Sequence, residues 1–142
     1  MSKSIIKKSL VAVMILLSLT FIILFWNYYS DEGLHQKIDI GTVESIDYWG
    51  SGIELKKATE QEKIKIIGWF NNVSDIRPNT EFAGITPESG IIINLIGDKR
   101  IIVINSGTDF EIQRTDMKSK NIAYWGKHRE INDFLDSLEI KR

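Results

Sequence analysis

From Ile38 the chain alternates, with Ile38, Ile40, Ile46 and Tyr48 on one parity and Asp39, Gly41, Ser45 and Asp47 on the other. This is the period-two signature of a half-buried strand. Gly50-Ser51-Gly52 signals a turn, and Ile53 to Lys57 alternates again as a short second strand. Thr59-Glu60-Gln61-Glu62 then spells a capping box: the threonine hydroxyl accepts from a free helical N–H, and the glutamate reaches back to the threonine backbone. The helix that follows places Ile66, Ile67, Phe70 and Val73 on one face, and Asn71-Asn72 with Arg77-Pro78 close the segment.

Strands dominate the remainder. Glu81 to Ile85 reads as a weak strand, and Thr86 to Gly90 as a turn. Ile91 to Ile96 and Ile101 to Asn105, joined by Gly97-Asp98-Lys99-Arg100, form the strongest hairpin signal in the chain. Phe110, Ile112 and Arg114 alternate after another turn, and a last strand surrounds Ile122 and Tyr124. Ile131, Phe134, Leu135 and Leu138 mark the buried stripe of a closing helix. The order predicts an α+β domain, an antiparallel sheet of about five strands with two helices packed on one face, over residues 38–142.

A different pattern precedes it. Leu10 to Trp26 carries no charge, with Ser18 and Thr20 as its polar interruptions. With Ile5 and Ile6 it approaches the roughly 20 apolar residues that a membrane-crossing helix needs. A cleaved signal peptide would share the basic start at Lys3, Lys7 and Lys8, but it would end in small residues, not in Phe25-Trp26-Asn27-Tyr28-Tyr29. These bulky aromatics suit the membrane interface. Residues 1–29 are therefore expected to be a cytoplasmic tip and an uncleaved transmembrane signal anchor, and residues 30–37 a short polar connector. Three lysines before the span and Asp31 and Glu32 after it predict a cytoplasmic N-terminus and an extracellular C-terminal domain of a single-pass membrane protein.

Charge narrows the partners. Setting aside Lys3, Lys7 and Lys8 leaves 15 basic against 19 acidic residues, a net charge near −4, which argues against nucleic acid. The absence of cysteine leaves the domain to be held by its core, without disulfides.

Candidate chemistry is sparse. Asp31, Glu32 and His35 could be drawn as metal ligands, but a juxtamembrane acidic connector carries such residues for solvation, and no paired His or Cys stands at ligand spacing; neither a metal nor a cofactor is expected. Ser4 to Lys7 spells a Ser-x-x-Lys tetrad before the apolar span, where no pocket can form. The carboxylates Glu81, Glu88, Asp98, Asp109, Glu111 and Asp116 fall in or near loops and read as solvated surface. The chain holds no phosphate loop, nucleophile elbow or zincin helix, and an enzyme is not expected.

One tripeptide occurs twice: Tyr48-Trp49-Gly50 and Tyr124-Trp125-Gly126. In each, the tyrosine shares a strand face with the isoleucine two residues before it, and the tryptophan takes the other face. Packing over the sheet rim is one reading, and a stacking platform for a glycan or peptide is the other. If the two strands are neighbours, the indoles make one aromatic surface. Tyr48, Trp49, Tyr124 and Trp125 are the candidate binding residues, with the tyrosines the more buried of each pair.

The overall order resembles a group of small membrane-anchored envelope proteins of unknown function from Gram-positive bacteria. The residues that carry the resemblance are the anchor, TEQEKIKIIGWFNNVSDIR (Thr59 to Arg77), TPESGIIINLIGDKRIIVINSG (Thr86 to Gly107) and the late NIAYWGKHREINDFLDSL. The resemblance implies an anchor or lipid-attachment signal, a strand, a capped helix, three or four strands and a closing helix. This chain has no cysteine for lipid attachment. Two functions are expected from the whole: an extracytoplasmic interaction module for a protein, peptide or cell-wall component, or a small envelope enzyme acting on wall polymers.

Overall fold

The computed structural model describes residues 13–24, 31–51, 53–79, 87–117 and 122–139. Residues 13–24 are a helix, α1, exposed on every side. Then come α2 (Asp31–Leu34), a 3-10 turn (Ile40–Thr42), β1 (Val43–Gly50), β2 (Ile53–Lys57), α3 (Glu60–Phe70), β3 (Ser74–Pro78), β4 (Gly90–Leu95), β5 (Lys99–Ser106), β6 (Asp109–Arg114), β7 (Ile122–Lys127) and α4 (Arg129–Ser137). All strand pairs are antiparallel. They make one sheet in the order β2-β1-β4-β5-β6-β7-β3.

Local chemistry sets the element ends. Thr59 caps α3 through its side chain, and the Glu62 carboxylate bonds back to the Thr59 backbone N–H at 2.8 Å, so the capping box is complete. The β4–β5 hairpin turns through Gly97 and Asp98, both with positive φ, a region that Gly and Asp tolerate better than branched residues do. Along β4, β5 and β6 alternate residues are buried, which places Ile91, Ile93, Ile101, Val103, Phe110 and Ile112 on one face. Ile66, Ile67 and Phe70 of α3 and Ile131 and Leu135 of α4 pack into the same cluster. The ring of Phe134 meets Tyr48 edge-on, with centroids 5.1 Å apart. α3 and α4 thus supply the helical side of the core.

Among the described residues the sheet has seven strands, where about five were expected. The strand that the sequence pattern did not mark is β3, a five-residue segment with one buried side chain, Ile76. Too short to show a period, it is a strand because it pairs with β7. β1 begins later than the alternation suggests: Ile40 lies in the 3-10 turn and is exposed, and a register shift between Val43 and Ser45 resets the parity. The expected weak strand from Glu81 to Ile85 lies outside the described residues. The connector, residues 30–37, differs from a solvated linker at its end, because Leu34 and His35 are buried in the domain. Among the described residues no helix is long and apolar enough to cross a membrane; most of residues 1–29, where the span is expected, lie outside that set.

Candidate functional site

The two Tyr-Trp-Gly segments occupy matching positions across the sheet. Tyr48 on β1 stands opposite Ile91, which in turn faces Val103, Ile112 and Tyr124 in one row. The adjacent row runs Trp49, Gly90, Ile104, Glu111, Trp125 and on to Arg77 of β3. The first row faces the core, with both tyrosines buried, and the second faces away, with both tryptophans half-buried. Each motif glycine faces inward where another segment crosses closely: a Cβ on Gly50 would collide with the Leu138 backbone, and one on Gly126 would meet Val73 Cγ1 at 2.6 Å. The motif thus places a core aromatic, an outer aromatic and a crossing point in succession.

The strands of the two tryptophans are not neighbours. Three strands separate them, a span of about 19 Å at the usual inter-strand spacing, so the indoles stand apart in one row with no shared aromatic surface. Trp49 lies over Gly90, the one position in the row where the absence of a Cβ lets an indole lie flat. Trp125 instead lines an open cavity of about 190 Å3 with Arg77, Ser106, Thr108 and Asp109.

Ion pairs border this cavity. Asp109 receives Arg77 on one oxygen and Lys127 Nζ at 3.3 Å on the other, and Asp75 approaches Lys127 at 3.4 Å. Asp109 and Asp75, in that order, raise the Lys127 pKa above the ordinary lysine range. Asp75 has φ of 58° and sits where the β3–β7 register shifts; such a bulge re-aims a side chain. Two cations and two carboxylates balance, leaving a neutral polar rim beside an indole. The loop-acid reading predicted solvated carboxylates, but the side chain of Asp109 is only 20% exposed. Across Thr108 a second hollow of about 460 Å3 opens between the β5–β6 turn and the start of α4, where Asn132 Nδ2 donates to the Thr108 carbonyl at 2.8 Å.

Among the described residues, the two outermost strands are guarded against strand addition. β3 carries the bulge and Pro78, and β2 carries a register irregularity and the exposed Lys56 and Lys57, devices that keep an edge from pairing with another chain.

The motif tyrosines serve the interior. Tyr48 packs on Phe134, with the Lys56 ammonium 5.5 Å from its ring centroid. Tyr124 belongs to a buried polar network absent from the sequence expectations. Arg114, 2% exposed, donates from Nε and Nη2 to the two oxygens of Asp116 and from Nη1 to the Gln36 carbonyl. Burial works against the guanidinium charge, yet the Asp116 carboxylate and Tyr124 together outweigh it and the Arg114 pKa is raised. Burial likewise opposes the Asp116 charge, and Arg114 brings that carboxyl below its ordinary value. Burial pushes the Tyr124 hydroxyl up to about 12 against the pull of Arg114. One signal was available: Arg114 shares the inward parity of Phe110 and Ile112, and an arginine there requires a carboxylate, which Asp116 supplies two residues on. Both ring nitrogens of His35 are hydrogen-bonded inside the domain, and among the described residues no group of three or more potential metal ligands occurs.

No protein-family model, curated protein or solved structure matches this chain.

Proposed function

We propose that this chain is an extracytoplasmic interaction module held at the cell membrane by its N-terminal helix, and that the outer sheet face around Trp125 contacts a protein, peptide or cell-wall component. The observation that carries the reading is the placement of Trp125, half-buried in an open cavity rimmed by Arg77, Ser106, Thr108 and Asp109. An indole face with flanking donors and acceptors binds by stacking and hydrogen bonding together, and stacking on such a ring contributes about 0.5–1.5 kcal/mol beyond area burial. Guarded edges disfavour partners that add a strand, which leaves the sheet face. The tyrosines of the two motifs act behind this surface, Tyr48 and Tyr124 holding the strands from the core side.

The anchor is supported by α1, whose described residues are apolar but for Ser18 and Thr20 and are exposed all round. A helix of that kind needs an apolar surrounding, and the uncharged run continues in the sequence from Leu10 to Trp26.

Two measurements test the reading. Protease added to intact protoplasts should digest the C-terminal domain; its protection would overturn the topology. Wild type should bind isolated cell walls, and Trp125→Ala should lose that binding while keeping its circular dichroism, with Trp49→Ala less affected because Trp49 lies on Gly90. Absence of wall binding by the wild type, or binding indifferent to Trp125, would remove the proposed surface.

A further inference from the structure

Thr108, at the β5–β6 turn, stands between two hollows. On one side is the cavity of about 190 Å3 beside Trp125, and on the other the hollow of about 460 Å3 at the start of α4. From Trp125 to Asn132 the chain advances three residues of extended backbone and about one turn of helix, no more than about 16 Å at the usual rises. One elongated ligand can therefore reach both.

The linings are poor in apolar side chains. Among the described residues Trp125 is the only large one in either hollow, so an apolar anchor from a protein or peptide finds no wall to pack on, and such buried anchors carry most of the energy of protein recognition. An indole in polar surroundings suits instead a ring with C–H bonds on its faces and hydroxyls at its rim. Charge points the same way. Arg77, Lys127 and Arg129 stand against Asp109, Asp133 and Asp136 across the two linings. These groups are already engaged: Arg77 and Lys127 on Asp109, Arg129 Nε on Asp133 at 3.6 Å, and Asn105 Nδ2 on Asp136 at 3.2 Å. A charged ligand would have to displace one of these pairings, whereas an uncharged one leaves them in place.

The hollow beside α4 calls for hydrogen-bond donors as well as acceptors. Asn132 donates from Nδ2 to the Thr108 carbonyl at 2.8 Å, which fixes the orientation of its amide, and its Oδ1 is buried with no hydrogen-bond partner among the described residues. A buried acceptor of this kind gains from a ligand hydroxyl. α4 also begins at His128 without a side-chain cap, so the N–H groups of its first turn are donors for ligand oxygens.

We propose that the ligand of the Trp125 surface is an uncharged glycan chain laid across Thr108, with one sugar ring stacked on the indole and hydroxyls of the following rings bonded to Asn132 Oδ1 and to the first turn of α4. The proposal rests on the reading of Trp125 as a binding surface and names its ligand class.

The test uses the full chain in sugar-free detergent micelles, with β-linked N-acetylglucosamine oligomers from monomer to pentamer as the probe. Affinity should rise about tenfold or more along the series as the second hollow fills, and should stay within about twofold between low and high salt because no ion pair forms. In NMR spectra the pentamer should shift both the Trp125 indole N–H and the Asn132 side-chain amide. Asn132→Ala should weaken pentamer binding about two- to tenfold, as for one hydrogen bond, and leave the monomer unaffected; Trp125→Ala should abolish both. A flat length series, a steep salt dependence, or an Asn132 amide in the wild type that the pentamer does not move overturns the proposal without any variant. Oligomers that fail to bind a protein still held to isolated walls through Trp125 overturn the glycan and keep the surface, whereas failure of both removes the surface itself.

Discussion

The indole of Trp49 lies across Gly90 on the neighbouring strand, so close that a Cβ at position 90 would stand 2.1–2.7 Å from three atoms of its six-membered ring. On the core face, Gly50 stands in the same relation to the backbone of Leu138. The two contacts differ in what can yield: a half-buried side chain can swing outward, whereas a helix end cannot move without disturbing the core.

Gly90→Ala is therefore expected to cost about 1–2 kcal/mol and Gly50→Ala more, toward 3 kcal/mol or beyond, by the usual range for overpacking. Urea unfolding of both variants ranks them, and Gly90→Ala should also shift tryptophan emission to the red as Trp49 turns outward. Equal costs would mean that α4 yields as easily as an indole.

Thr59→Ala should destabilise the domain by about 1 kcal/mol, the usual value of a helix N-cap. The Thr59 backbone and then its hydroxyl hold the Glu62 pKa below the ordinary value; the variant keeps the backbone bond and should let Glu62 rise part of the way back. Carboxyl 13C shifts followed against pH give the second readout.

Removing the Asp116 carboxylate leaves Arg114 buried with its charge uncompensated. Asp116→Ala should cost about 3–5 kcal/mol. Because the folded-state pKa of Asp116 is lowered, its contribution is present above the unfolded value near 3.8 and is lost as pH falls through the folded one. The wild type should accordingly lose stability in this acid range and Arg114→Met should lose less, measured by denaturant midpoints from pH 5 to 2.

Tyr124 predicts the opposite limb. Its pKa rises from 10.0 to about 12 on folding, so between those values the unfolded chain has released a proton that the folded chain retains. Stability is present below pH 10 and falls as pH rises toward 12, by up to about 1.4 kcal/mol per unit. Tyr124→Phe should be less stable at pH 8 but should show a shallower decline above pH 10. An identical decline in both proteins would place the alkaline transition elsewhere.

Much of this molecule follows from short-range pattern. The Thr59 capping box, the β4–β5 hairpin, the stripe of α4 and the opposite orientations of tyrosine and tryptophan in each motif all depend on residues within a few positions of one another, where helical and strand periods act directly. Tertiary structure alone decided that β3 is a strand beside β7, because five residues with one buried side chain become a strand through their partner. It also decided that Tyr48 and Tyr124 share one row and Trp49 and Trp125 the next, with three strands between the members of each pair, since row and strand order arise from long-range pairing that leaves no local period. The inward parity of Arg114 was legible in the sequence, but its hold on the Gln36 carbonyl and the burial of His35 were not: a polar group is admitted to a core only where distant segments supply its partners, and those partners meet only when the whole sheet has formed.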